Sequence, residues 1–198
     1  MPSFYAMKQP EAQPKLKPFS PRPIYSDVYP LCEFYAAQGL PLPVIGRIET
    51  REVPPPYHSL LVHNLDMTST LEKFHRHKIH IRVIARHTFE NEYFRESILE
   101  LDRLKKPVEF GAIKINLDLF PSEAREEILR ERRPLGGIMA HFRMTIRSRP
   151  SAYFRVASDD YMNRALNLRG ISFLYGRRNS LLDNWDRPLA EIVEILPP

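Results

Sequence analysis

The patterns along this 198-residue chain predict an α+β fold: an antiparallel β-sheet of about six strands, with helices segregated to one side. Three observations carry that reading. Apolar residues recur at helical spacing just after Pro54-Pro55-Pro56. From Lys78 the spacing drops to two, the period of a half-buried strand. The strand-like runs then come in succession, separated by turn formers, with helical pieces grouped apart from them.

The prolines set the first division. Of 19, 12 fall in residues 1–56. Pro at positions 2, 10, 14, 18, 21 and 23 fixes local backbone angles and pushes each preceding residue towards extended conformations, so residues 1–24 read as an extended arm. Tyr29–Gly39 reads as a short helix with Leu31, Phe34 and Tyr35 on one side, and PLPVIGRIETREV as extended chain. The predicted organisation is a Pro-rich extension, 1–56, partly packed on the body through its aromatics, and a body, 57–198. A body of that length buries roughly two-thirds of its unfolded surface.

Within the body, Leu60, Leu61, Asn64 and Leu65 keep a helical period. Asp66 is an N-cap type for a second helix, Thr68–His75, and the junction leaves backbone N–H groups suited to an anion. Ile79, Ile81 and Val83 begin a strand, Tyr93–Leu101 (YFRESILEL) a second, and Val108–Leu117 a third behind Pro107. Two helical pieces follow, Ser122–Arg130 and one within PLGGIMAHF. Arg143–Ala157, Ile171–Leu182 and Leu189–Leu196 read as the remaining strands, the last two joined by Asp183-Asn184-Trp185-Asp186.

Composition excludes several classes. Gly, at 7 residues, is too scarce for a collagen repeat, and 43% hydrophobic residues is too many for a disordered chain. Cys32 is the lone cysteine, so neither an internal disulfide nor a Cys-based metal cage forms. The segment MPSFYAMKQPEAQPK lacks the apolar core of a signal peptide, and no run approaches the roughly 18 apolar residues of a membrane span. A cytoplasmic location is expected. The net charge of +5 is mild for a nucleic-acid binder and suits attraction of a small anion, so no nucleic-acid partner is expected.

Three positions stand out against a purely structural pattern. Arg95 sits mid-strand among Leu99 and Leu101, where a guanidinium needs an ion pair, an edge or a bound anion. Glu194 shares a face with Ala190, Ile192 and Leu196, but Glu191 shares the other with Leu189, Val193 and Ile195, so parity leaves the buried glutamate open. A carboxylate among aliphatics has a raised pKa; an exposed edge acid is the plainer reading. Pro134-Leu135-Gly136-Gly137 opens a helix with glycines that permit close backbone approach to a ligand, or merely a tight turn. Gly111, inside a strand, carries the same pair of readings. His75, His77 and His80 do not share a face, and no metal is expected. Neither a Gly-x-Ser-x-Gly elbow nor a phosphate-binding glycine loop is present.

Taken in order, Asp66-Met67-Thr68 with Leu71 and Phe74, YFRESILEL, KPVEFGAIKINLDLF, RPLGGIM, and LYGRRNSLL with RPLAEIVEILP resemble the chorismate lyase family over about Leu60 to Pro197. That resemblance implies a chorismate lyase-like antiparallel sheet with the ligand enclosed under helical flaps. It implies a carbon–oxygen lyase, chorismate pyruvate-lyase, yielding 4-hydroxybenzoate and pyruvate without metal or organic cofactor. Arg95 would hold a substrate carboxylate, Met67 and Leu135 would complete the anion site, Gly111 would lie at the ligand, and Glu194 rather than Glu191 would face the ring hydroxyl. The same fold serves as a ligand-sensing domain in some transcription regulators, and no helix-turn-helix precedes the body here. The alternative function is a non-catalytic binding protein for an aromatic carboxylate, or a lyase of a related enolpyruvyl acid. The expected partner in every case is a small anionic molecule; the oligomeric state is left open.

Overall fold

The computed structural model describes residues 25–198, and the arm expected over residues 1–24 lies outside them. Its centre is one antiparallel sheet built from β1 (Ile45–Ile48), β2 (Ile79–Phe89), β3 (Glu92–Leu101), β4 (Pro107–Asn116), β5 (Arg147–Ala157), β6 (Phe173–Leu182) and β7 (Pro188–Leu196). The spatial order is β1-β5-β6-β7-β4-β3-β2, every neighbouring pair antiparallel. The chorismate lyase-like α+β architecture holds, with seven strands instead of about six. The additional strand is β1, four residues with Gly46 in the middle, too short to show alternation and recognisable only through its pairing with β5.

Strand parity divides the side chains cleanly. Phe94 and Ile98 of β3, Phe110 and Ala112 of β4, Phe154 and Val156 of β5, and Val193 and Ile195 of β7 fill one face. There α1 (Leu31–Ala37) inserts Leu31, Phe34 and Tyr35, and α6 (Asp160–Leu166) inserts Met162 and Leu166. Helix α6 lies between β5 and β6. It is capped by Asp159, whose carboxylate accepts from the Met162 N–H at 2.8 Å, and ends at Asn167 in the left-handed region, φ 56°. Seven residues are too few for a periodicity signal.

The alternate residues of the same strands face a second group of helices. These are α2 (Tyr57–Leu61), α3 (Met67–His75), α4 (Ser122–Leu129) and α5 (Leu135–His141). Leu60, Leu61, Met67 and Leu71 pack with Ile79, Ile81, Leu99 and Leu101 at one end of this face. Ala124, Ile128, Leu135, Ile138 and Met139 pack with Tyr93, Ile113 and Ile115 at the other. The helical period expected to run through Leu65 stops at Leu61, because the carbonyls beyond are taken by a buried arginine described below. Asp66 caps α3 as expected, its Oδ1 accepting from the Ser69 N–H at 3.2 Å. Among the described residues, no helix is long and apolar enough to cross a membrane.

Candidate functional site

The two helical groups leave a gap over the middle of the sheet. It is a cavity with about 560 Å³ of empty space, its open mouth included. Its floor is β3, β4 and β7; its roof is the start of α3 and the start of α5. Met67, Arg95, Gly111, Leu135 and Glu194 all line it, so the residues singled out from five separate segments meet in one place.

Arg95 is only 2% exposed. Its Nε and one terminal nitrogen, Nη1, have no hydrogen-bond partner. The acid that acts on it, Glu131, is already committed, accepting from the Tyr93 hydroxyl and from Arg86. Burial lowers the pKa of Arg95, yet a guanidinium keeps its proton under any ordinary condition. A buried, charged and unsatisfied donor set facing a cavity is costly unless an anion fills it.

Glu194 is also buried, and the parity ambiguity is resolved by the sheet. Glu194 faces the cavity, whereas Glu191 is half-buried and pairs with Arg178 at 2.7 Å and Lys114 at 3.3 Å. Glu194 is not an isolated acid among aliphatics, however. Its carboxylate accepts from Nε of Arg177, a fully buried residue directly opposite it in the β6–β7 ladder. Arg177 also donates to the carbonyls of Leu61 and His63, both at 3.0 Å, and so pins the loop between α2 and α3 that leads into the start of α3. His63 completes that loop: its Nε2 meets the Leu60 carbonyl at 2.7 Å, and its Nδ1 accepts from the Leu65 N–H at 3.1 Å. Burial, with the neighbouring Arg177 charge, lowers the His63 pKa and holds it neutral.

The glycines allow close approach within the protein itself. A Cβ on Gly136 would collide with the Asp66 carboxylate, so this residue lets α5 abut the cap of α3. A Cβ on Gly111 would stand 2.6 Å from the Val193 carbonyl and 3.3 Å from Oε1 of Glu109. Gly111 therefore permits close approach of β7 and of a carboxyl lying beside the cavity.

Glu109 and Arg177 are the residues that sequence reasoning passed over. Glu109 is 8% exposed, lines the cavity, and has no partner for Oε2. Burial, and then the charge of Glu194, push its pKa well above the usual carboxylate range. Its position in KPVEFGAIKINL, on the face shared with Gly111 and Ile113, was the available signal. The histidines noted in the sequence stay apart from the site: His80 bonds to Asp102 at 2.8 Å and Glu100 at 3.1 Å. Among the described residues, no group of three or more His, Cys, Asp or Glu side chains is placed to hold a metal ion.

The chain matches no family model and no curated protein. It is similar in fold to solved structures. PhnF from Mycobacterium smegmatis superposes with a TM-score of 0.52 at 11% identity, over 67% of this chain and 63% of that one. The effector domain of PhnF alone gives 0.50 at 11% identity, over 66% and 87%. YydK from Bacillus subtilis, described as a possible transcriptional regulator, gives 0.50 at 10% identity, over 70% and 64%. A ligand-binding domain from Bordetella bronchiseptica, described as belonging to a GntR-family transcriptional regulator, gives 0.47 at 12%, over 60% and 85%. The chain thus spans 63% and 64% of whole PhnF and YydK, and a larger share of the separate domains. The fold is therefore the chorismate lyase-like α+β fold that these domains share.

These neighbours correct the expectation of a carbon–oxygen lyase. They are described as an effector domain and a possible transcriptional regulator, not as lyases.

Proposed function

We propose that this chain is a non-catalytic binding protein for a small carboxylate-bearing acid, with an aromatic or other ring acid as the best fit. The observation that carries the reading is Arg95, buried, charged and unsatisfied at the cavity wall. A carboxylate supplies the planar, bidentate partner that a guanidinium prefers. Ile81, Leu99, Ile113, Met139 and Ile192 offer apolar walls for a ring. In this reading Arg95 holds the carboxylate, Met67 and Leu135 close the roof, and Gly111 lies under the ring. Glu194, with Arg177, holds the loop that leads into α3. The likeness of the fold to an effector domain supports binding in preference to turnover. We place the protein in the cytoplasm, a location consistent with its single free cysteine.

Thermal-shift and calorimetric titration with benzoate and ring-substituted benzoates test this. Binding that is lost in Arg95→Ala and weakened in Arg95→Lys supports it, because an ammonium cannot reproduce the planar fork. Equal affinity in wild type and Arg95→Ala removes Arg95 as the carboxylate site and the reading with it.

A further inference from the structure

The cavity has a second polar end. Arg95 pairs with Ile113 and Leu99 pairs with Glu109, so Arg95 and Glu109 lie four residues apart along the β3–β4 ladder. That is about 13 Å at the strand rise. Between them Ser97 pairs with Gly111, two small residues that keep the floor low. A ligand held by its carboxylate at Arg95 and lying along this floor presents its far end to Glu109. Nothing in the protein satisfies Oε2 of Glu109, although the carboxyl is buried.

We infer that Glu109 is a specificity-determining residue: as a neutral carboxylic acid it donates a hydrogen bond to an uncharged oxygen at the end of the ligand remote from its carboxylate. The inference rests on the binding reading above. The charges around Glu109 decide its form. Glu194 of β7, Arg177 of β6 and Asp66 before α3 are the charged groups acting on it. Arg177 is already matched by Glu194, and Asp66 adds negative charge. A second anion at Glu109 would be uncompensated, which agrees with the upward shift of its pKa from burial and from Glu194. A neutral carboxyl selects a carbonyl, ether or hydroxyl oxygen. A far-end carboxylate would meet Glu194 and Asp66, and a far-end ammonium would require Glu109 to ionise. The ligand class is therefore a monoacid with a distal neutral oxygen.

Calorimetry on the full chain at neutral pH, with three probes, tests the assignment. Para-acetylbenzoate carries the oxygen, para-isopropylbenzoate is its apolar isostere, and para-(aminomethyl)benzoate carries a cation. The acetyl acid should bind about tenfold more tightly than the isopropyl acid, the effect of one buried hydrogen bond. The aminomethyl acid should bind no better than the isopropyl acid. Glu109→Gln retains a donor and should retain the preference, whereas Glu109→Leu should bring the ratio to about one. Should the leucine variant not fold, pH provides the second readout. In wild type the preference should disappear as pH rises through the raised Glu109 pKa, and in Glu109→Gln it should stay flat. Equal affinity for the acetyl and isopropyl acids, with binding still dependent on Arg95, overturns this inference alone. Tighter binding of the aminomethyl acid overturns it too. Failure of all three probes to bind overturns the binding reading and this inference together.

Discussion

Arg177 and Glu194 face each other across the β6–β7 ladder, and the same guanidinium that pairs with Glu194 also holds the carbonyls of Leu61 and His63. One buried side chain thus ties the C-terminal strand of the sheet to the loop that leads into α3. Replacing Arg177 with Met would leave Glu194 buried without a partner and release the loop. The expected cost is about 3–5 kcal/mol, measured by chemical denaturation. Adding Glu194→Leu should recover much of that loss, because the uncompensated charge goes with it. A single variant as stable as wild type would show that the pair does not tie these elements together.

Arg95 presents the opposite case. It is buried like Arg177, but its Nε and Nη1 are unsatisfied. Removing a buried charge that has no partner relieves its desolvation cost. Arg95→Met should therefore stabilise the ligand-free protein by about 1–4 kcal/mol while abolishing the thermal shift produced by benzoate. Paired thermal melts with and without ligand read both effects. Destabilisation of the ligand-free variant would mean that Arg95 holds the fold rather than a ligand.

The contrast between these two arginines also marks how far the sequence was legible. Alternation in YFRESILEL and RPLAEIVEILP marked Arg95 and one of two glutamates as out of place among aliphatics, and the family resemblance was what assigned them to a ligand site. Arg177 was hidden by register. Counting back from the turn, a regular hairpin that pairs Leu182 with Pro188 would set Arg177 opposite Val193. The irregularity between Leu181 and Leu182 shifts the ladder by one residue and brings Glu194 opposite instead. No local pattern announces such a bulge. Glu109 was missed for another reason: parity puts it on the face of Gly111 and Ile113, but the groups that act on it, Glu194, Arg177 and Asp66, come from distant segments. The strand β1 and the helix α6 were too short to carry a period.

On the opposite face, Glu96 is fully buried. Its Oε2 accepts from the Tyr161 hydroxyl, which in turn accepts from Gln38 Nε2 at 2.9 Å, and Oε1 has no partner. Burial pushes its pKa up to about 7, against the lowering effect of the Tyr161 bond. The folded state therefore retains a proton that the unfolded chain gives up near the ordinary glutamate value. The stability from this proton is complete below that value and is lost as pH rises towards about 7. The loss amounts to about 3 kcal/mol across the interval, at 1.36 kcal/mol per pKa unit. Glu96→Gln should flatten the decline measured by denaturation between pH 4.5 and 7. Some slope will persist, since Glu109 is shifted in the same direction. An undiminished slope in Glu96→Gln would assign the pH dependence elsewhere.

The junction of α3 and α5 offers a test of why the sequence places glycine at position 136. Asp66 caps α3 through the Ser69 N–H, and its carboxylate occupies the space where a side chain at position 136 would stand. Asp66→Ala alone loses the cap and should cost about 1 kcal/mol. Gly136→Ala alone forces the methyl group against the carboxylate and should cost about 1–3 kcal/mol. In the double variant the collision disappears along with its partner. The combined loss should then fall short of the sum by about 1 kcal/mol or more, a coupling readable from a double-mutant cycle in denaturant. Strict additivity would mean that Gly136 serves backbone freedom in α5 rather than the approach of Asp66. Because both residues line the cavity, the same cycle run with benzoate bound would show whether this contact also shapes the site. A wider gap at the roof should raise the benzoate Kd in Gly136→Ala and return it towards wild type in the double variant.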